Sequence, residues 1–181
     1  MKRSTSGVTL IELLVTIAII AIVAVFGIPS YRSVTTANRM ATEINSLTGD
    51  LQYARAEAIK EGQPVTVCVS STGTSCAASN SWQSGWIVFS DANGNKSVDT
   101  GGTTPDTVLR YQQAFGGSDT LVGTTTGSAG GLVAVTFNRV GFSTDQGTLT
   151  LHDSNNTLAW RRCLKISLVG HIQADQEGKC P

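Results

Sequence analysis

The sequence predicts an α+β protein, in which one long N-terminal helix packs on a C-terminal antiparallel β-sheet domain. Three observations carry this. An unbroken apolar run extends from Val8 to Ile28. The polar stretch after it keeps apolar residues at helical spacing, which makes the two one helix with two surface characters. Beyond Gly62 the chain changes to short β-branched runs bounded by Gly, Asn, Asp or Ser, the pattern of strands and turns.

The apolar run VTLIELLVTIAIIAIVAVFGI reaches across a hydrocarbon layer of ~30 Å at about 1.5 Å per residue. Lys2 and Arg3 precede it, so the positive-inside rule puts the N-terminus in the cytoplasm and everything after Pro29 on the far side. A cleaved secretory signal peptide fits less well. The run is longer than the ~7–15 residues of such a region, and no A-x-A-like site follows it. It also holds a carboxylate, Glu12. One acid in lipid costs about 2.5–3.5 kcal/mol on insertion scales, so Glu12 needs a partner or a place near the interface.

After Pro29, the residues Met40, Ile44, Leu47, Leu51, Ala54 and Ala58 form a stripe that faces a sheet. Gly62 and Pro64 end the helix, since Gly takes the left-handed closing position and Pro cannot continue the ladder. Strands are expected at Val65–Val69, Trp86–Ser90, Thr107–Tyr111, Leu132–Phe137, Thr148–His152 and Cys163–Leu168. They make an antiparallel sheet or a small sandwich on the helix. Stretches 70–81 and 116–131, rich in Ser, Thr and Gly, read as loops.

Composition narrows the function classes. The 181 residues carry 13 Lys+Arg and 13 Asp+Glu; beyond Lys2 and Arg3 the balance is 11 basic to 13 acidic, which is no polyanion-binding composition. Nineteen glycines and few aromatics suit a turn-rich head. Cys68, Cys76, Cys163 and Cys180 suit an oxidising, exported setting. Neighbour-with-neighbour pairing is the economical arrangement, and the other two pairings stay open. Their spacing is too wide for a zinc site of the C-x₂-C kind.

Asp91, Asn93, Asn95, Ser97 and Asp99 place oxygens at alternate positions, like the start of a calcium loop. Lys96 and Gly102 then stand where such a loop needs Gly and Glu, so the segment reads as a turn between strands. His152 and His171 lie in no catalytic motif, and there is no G-x-S-x-G. The expectation is therefore no catalytic residue, no metal, no cofactor and no small-molecule substrate.

Gly7-Val8-Thr9-Leu10-Ile11-Glu12, with the apolar LLVTIAIIAIVAVFGIPSY after it, resembles the class III signal of type IV pilins and pseudopilins. In that family a basic leader ends in Gly and the mature chain carries Glu at its fifth position. Counting from Val8, Glu12 is fifth. The resemblance implies that prepilin peptidase cuts between Gly7 and Val8 and that the new amino group of Val8 is methylated. It also implies that Glu12 pairs with the terminal amine of a neighbouring subunit, and that Pro29 kinks the helix. Val8 departs from the usual Phe.

Three further stretches narrow the match. Leu51–Cys68, LQYARAEAIKEGQPVTVC, resembles the FimT/GspH group of minor pilins and pseudopilins, as do Gly85-Trp86-Ile87-Val88-Phe89 with its following turn and Phe137-Asn138-Arg139-Val140-Gly141. The implied organisation is a leader at 1–7, a transmembrane and filament-core helix at 8–29, an amphipathic helix at 30–62 and a periplasmic β-rich head at 63–181. The implied location is the inner membrane, then a pilus or pseudopilus. The implied partners are other pilin subunits and the prepilin peptidase.

The implied role is that of a minor pilin in a priming or tip complex, supporting pilus assembly and twitching motility, or else of a pseudopilin in type II secretion. Some FimT-like minor pilins also capture DNA through a C-terminal Gly-Arg-x-Arg motif. Here the corresponding stretch is Gly170-His171-Ile172-Gln173, which lacks both arginines, though Arg161, Arg162, Lys165 and Lys179 leave positive charge nearby.

Overall fold

A computed structural model of the chain describes residues 7–101, 105–128, 130–176 and 180, with the backbone alone at positions 29 and 176. Among the described residues the order is a helix, α1 (Leu10–Glu61), then eight strands, with short 3-10 turns at Trp82–Ser84 and Leu158–Trp160. The strands are β1 (Val65–Val69), β2 (Gly85–Ser90), β3 (Val108–Gln113), β4 (Thr120–Thr125), β5 (Ala134–Phe137), β6 (Gly147–His152), β7 (Arg162–Ile166) and β8 (Ile172–Gln176). Two compact units result, one ending at Asn38 and one starting at Arg39.

In the first unit, α1 opens on Thr9. Its hydroxyl accepts a hydrogen bond from the Glu12 backbone N–H at 3.3 Å, and its carbonyl accepts one from Leu13 at 3.1 Å. This is N-capping with the T-x-x-E spacing of a capping box, so the helix starts at Leu10 rather than at Val8. The apolar side chains from Leu10 to Ile28 are solvent-facing within the chain, and the segment is long and apolar enough to cross a membrane. The backbone stays helical through Pro29.

The second unit is built on the rest of α1. Met40, Ile44, Leu47, Leu51, Ala54 and Ala58 are all buried, and Gly62 closes the helix at φ 68° with its N–H on the Ala58 carbonyl. This stripe shares one core with residues of two four-stranded antiparallel sheets, ordered β3-β2-β1-β5 and β4-β6-β7-β8. Val65, Val67, Val69, Trp86, Val88, Val135 and Phe137 come from the first sheet, and Leu121, Leu149, Leu151, Leu164 and Ile166 from the second.

In the first sheet β1, β2 and β5 are buried on both faces, and the edge strand β3 is half-exposed. Cys68, Ile87, Phe89 and Ala134 point away from the helix into a smaller cluster, covered by Cys76, Val98 and Val108. That is why β1 and β2 show no alternation of buried and exposed residues. In the second sheet β6 alternates buried and half-buried residues, as a half-exposed strand should.

Two strands fall where the sequence suggested none. β4 lies inside the stretch read as a loop at 116–131 and pairs with β6 from Thr120↔His152 to Thr125↔Gly147. Its Thr- and Gly-rich sequence hides the period, because Gly123 stands where a side chain is forbidden. A Cβ there would sit 2.4 Å from the Leu132 carbonyl oxygen and 2.7 Å from Trp82 Nε1. β8 is a polar edge strand whose apolar signal is only Ile172 and Ala174, and it pairs with β7. The stretch 70–81 is a loop apart from a single bridge, Ser81↔Val122.

Candidate functional site

The residues singled out for assembly lie together at the start of α1. Val8 and Glu12 are exposed, with Glu12 in the first turn. A carboxylate there faces the partly positive end of the helix dipole, where an anion is favoured. Thr9 caps the same turn, so the three residues following Gly7 and the Glu12 backbone form one local unit. Sequence reading missed the cap, although Thr9-x-x-Glu12 is visible as a pattern. Pro29 supplies no N–H, so the Val25 carbonyl receives no i→i−4 hydrogen bond from it. Positions 1–6, with Lys2 and Arg3, lie outside the described residues.

Polar contacts fasten the head's part of α1 to both sheets. Arg39 grips Asp119 with two hydrogen bonds, Nε to Oδ2 at 2.6 Å and Nη2 to Oδ1 at 2.7 Å; the Asp119 side chain is fully buried. The Asp50 carboxylate accepts from Trp86 Nε1 at 2.9 Å and from Arg110 Nη1 at 3.0 Å, while the Arg110 guanidinium stacks 3.7 Å from the Tyr53 ring centre. Arg55 Nε donates to the Gly141 carbonyl at 2.9 Å. These contacts fix the helix at its start, middle and end within the head.

Glu43 departs from ordinary acidity. Burial pushes its carboxyl up to about 7, and the nearby Asp119 adds to the effect while Arg39 opposes it. Its Oε2 is buried with no hydrogen-bond partner. The Arg39 guanidinium is itself held above its usual value, first by the bond to Asp119. No sequence pattern flagged this group, because the two carboxylates lie far apart in the chain.

The Asp91–Asp99 segment is a turn whose oxygens are already occupied. Asp91 is buried and accepts from the Thr66 hydroxyl at 2.7 Å and from the Asn95 and Lys96 backbone N–H groups at 3.0 Å each. Asn93 and Asn95 both donate to Asp99 Oδ2 at 2.8 Å. Lys96, at φ 62°, turns its ammonium onto Asp145. Among the described residues no group of three or more His, Cys, Asp or Glu could hold a metal ion. Gly102 lies outside the described residues.

Cys68 is bonded to Cys76 and Cys163 to Cys180. The first disulfide ties β1 to its following loop, and the second ties β7 to the segment after β8. The His152 ring meets the Thr120 hydroxyl at about 2.9 Å, and His171 is exposed in the turn between β7 and β8. Gly170-His171-Ile172-Gln173 therefore spans that turn and the first residues of β8. Of the basic residues nearby, Arg161 donates to Asn156 at 2.9 Å and Lys165 pairs with Asp175 at 2.9 Å; Lys179 lies outside the described residues. A shallow groove of about 400 Å³ beside this turn is lined by Gln52, Arg55, Ala56, Ile59, Gly170, His171 and Ile172. Its lining offers no nucleophile paired with a base.

Comparison with known proteins agrees with this picture. The structure is similar to the type IV minor pilin FimU of Pseudomonas aeruginosa strain PAO1 in two crystal forms. The first match has a TM-score of 0.56 at 23% identity, covering 80% of this chain and 93% of that one. The second has a TM-score of 0.52 at 24% identity, covering 78% and 94%. The fold is thus pilin-like: a long N-terminal helix packed on antiparallel sheets. Residues 2–28 match the prokaryotic N-terminal methylation motif, which marks a membrane-anchored pilin-class chain. Residues 43–170 match the family described as Type II transport protein GspH, and the chain belongs to that family of pilin-like subunits.

Proposed function

We propose that this chain is a minor pilin, a structural subunit of the priming or tip complex of a type IV pilus that supports pilus assembly and twitching motility. The observation that carries the reading is the order of its parts: a methylation motif over residues 2–28 runs directly ahead of a GspH-type head over 43–170. In this reading prepilin peptidase removes residues 1–7 between Gly7 and Val8, and the Val8 amine is then methylated. Residues 8–29 cross the inner membrane before assembly and line the filament core after it. Residues 30–62 continue as the amphipathic helix, with Pro29 as the kink, and 63–181 form the periplasmic head. The disulfides Cys68–Cys76 and Cys163–Cys180 suit that compartment.

Glu12 is the assembly residue. Alone in lipid, its charge would cost about 2.5–3.5 kcal/mol; the methylated terminal amine of a neighbouring subunit supplies the missing cation. The capped first turn keeps the carboxylate one turn from the cut end. The work is packing of like helices, with other pilin subunits as partners and with no substrate, cofactor or catalytic step. Replacing Glu12→Ala should abolish surface pili while leaving the membrane-inserted precursor in place, and undiminished piliation would sink the reading. Mass spectrometry of the mature chain should find N-methyl-Val8 at its start.

A second reading, a pseudopilin of a type II secretion system, is favoured by the family's own description. Deleting the gene and scoring twitching motility beside secretion separates the two. DNA capture has less support, because both arginines of the capture motif are missing at 170–173 and Lys165 is paired with Asp175. A gel-shift titration at low salt tests it: salt-sensitive binding would revive the idea.

A further inference from the structure

We propose that Glu43, Asp119 and Arg39 form a proton-operated latch. It fastens the entry turn of the head's helix to the connection between β3 and β4 when Glu43 is protonated, and it loosens when that proton leaves. Counting charges shows why. The buried Asp119 carboxylate has both oxygens on the Arg39 guanidinium, at 2.6 and 2.7 Å. One guanidinium neutralises one carboxylate. Glu43 lies one turn further along the same helix, within the field of the Asp119 charge, with Oε2 buried and without a hydrogen-bond partner.

The groups facing the latch come from three places. Arg39 and Glu43 belong to α1, and Asp119 ends the β3–β4 connection. Asp153, just past β6, also acts on Arg39 and competes for its charge. His152, at the end of β6, touches the hydroxyl of Thr120, the residue after Asp119. Arg39 is the cation acting on Glu43, and it is already engaged. The cluster is therefore neutral only when Glu43 carries a proton. A Cβ placed on Gly117 would lie 3.6 Å from the Arg39 guanidinium carbon, so this side chain runs close over the connection.

The sign follows from the position of the proton. Glu43 titrates at about 7 in the folded head against an ordinary value of 4.5, so the folded state holds this proton more tightly than the unfolded one. The stabilisation is complete below the ordinary value, drains away as pH rises between the two, and is gone above the folded one. An exported head would thus grip the start of its helix more firmly in acid than in alkali.

The test uses the full-length chain in detergent micelles. Carboxyl carbon NMR should show Glu43, assigned by comparison with Glu43→Gln, titrating near neutrality. Hydrogen exchange at the Asp119–Leu121 amides, corrected for the intrinsic pH dependence, should lose protection ~10-fold or more between about pH 5 and pH 8. Glu43→Gln should abolish that loss, and the control His152→Gln should keep it. In Asp119→Asn, which frees Arg39 for Glu43, the Glu43 titration should move down toward the ordinary carboxylate range. A Glu43 that titrates in that range in the wild type overturns the latch. So does a Glu43→Gln protein that retains the wild-type loss, or an Asp119→Asn protein whose Glu43 titration stays put.

Discussion

At the scale of single residues, the polar groups inside the head act as fasteners whose removal leaves something buried and unpaired. Asp50 satisfies the buried Trp86 indole N–H and the half-exposed Arg110 together. Asp50→Ala should cost about 1–3 kcal/mol, mostly the orphaned indole donor, read as a lower urea midpoint by circular dichroism. Asp50→Asn should recover part of the loss, since its amide oxygen still accepts. Gly123 makes a different demand, because a Cβ at that position has nowhere to go between the Leu132 carbonyl and the Trp82 indole. Gly123→Ala should destabilise by about 1–3 kcal/mol through overpacking, whereas Gly49→Ala, in open space on α1, should be neutral or stabilising. A Gly123→Ala protein with an unchanged urea midpoint would contradict that close approach.

Elements were legible in proportion to the regularity of their side chains. The stripe from Met40 to Ala58 has helical spacing and no competing signal, and all six of its residues are buried. β1, β2 and β6 announced themselves through β-branched or alternating residues. β4 and β8 did not: one is interrupted at Gly123, where an indole crosses it, and the other is a polar edge strand whose pairing with β7 is a long-range fact. The same reason hid the Glu43 cluster, whose members meet only after the sheets form. The segment that matches the methylation motif was legible apart from its Thr9 cap, because its residues sit in one contiguous stretch. The stripe yields a clean test. Leu47→Ala should cost about 2–5 kcal/mol, while the exposed Gln52→Ala on the same helix should stay within about 0.5 kcal/mol. Equal effects from the two substitutions would mean that the stripe does not carry the packing.

For the molecule as a whole, the question is what keeps a head with so many loops folded. Its two sheets share one core with a single helix, and the first sheet adds a second, smaller cluster on its outer face. The two disulfides brace the two sheets separately. Cys68–Cys76 spans 8 residues beside that outer cluster, and Cys163–Cys180 spans 17 residues and holds the chain beyond the edge strand β8 against β7. In the chain-entropy picture loops of these lengths contribute about 2–3 kcal/mol each, the longer slightly more. The paired substitution Cys163→Ser with Cys180→Ser should therefore lower the thermal midpoint and leave the helix core intact. It should also selectively raise hydrogen exchange in β8, the edge that the bond tethers. Cys68→Ser with Cys76→Ser should act differently, exposing β1 and β2 through the loosened outer cluster while β8 stays protected. Since the bonds sit in different sheets, the two losses in stability should add when all four cysteines are replaced. A combined loss well below that sum would mean that the sheets unfold as separate units rather than through their common core.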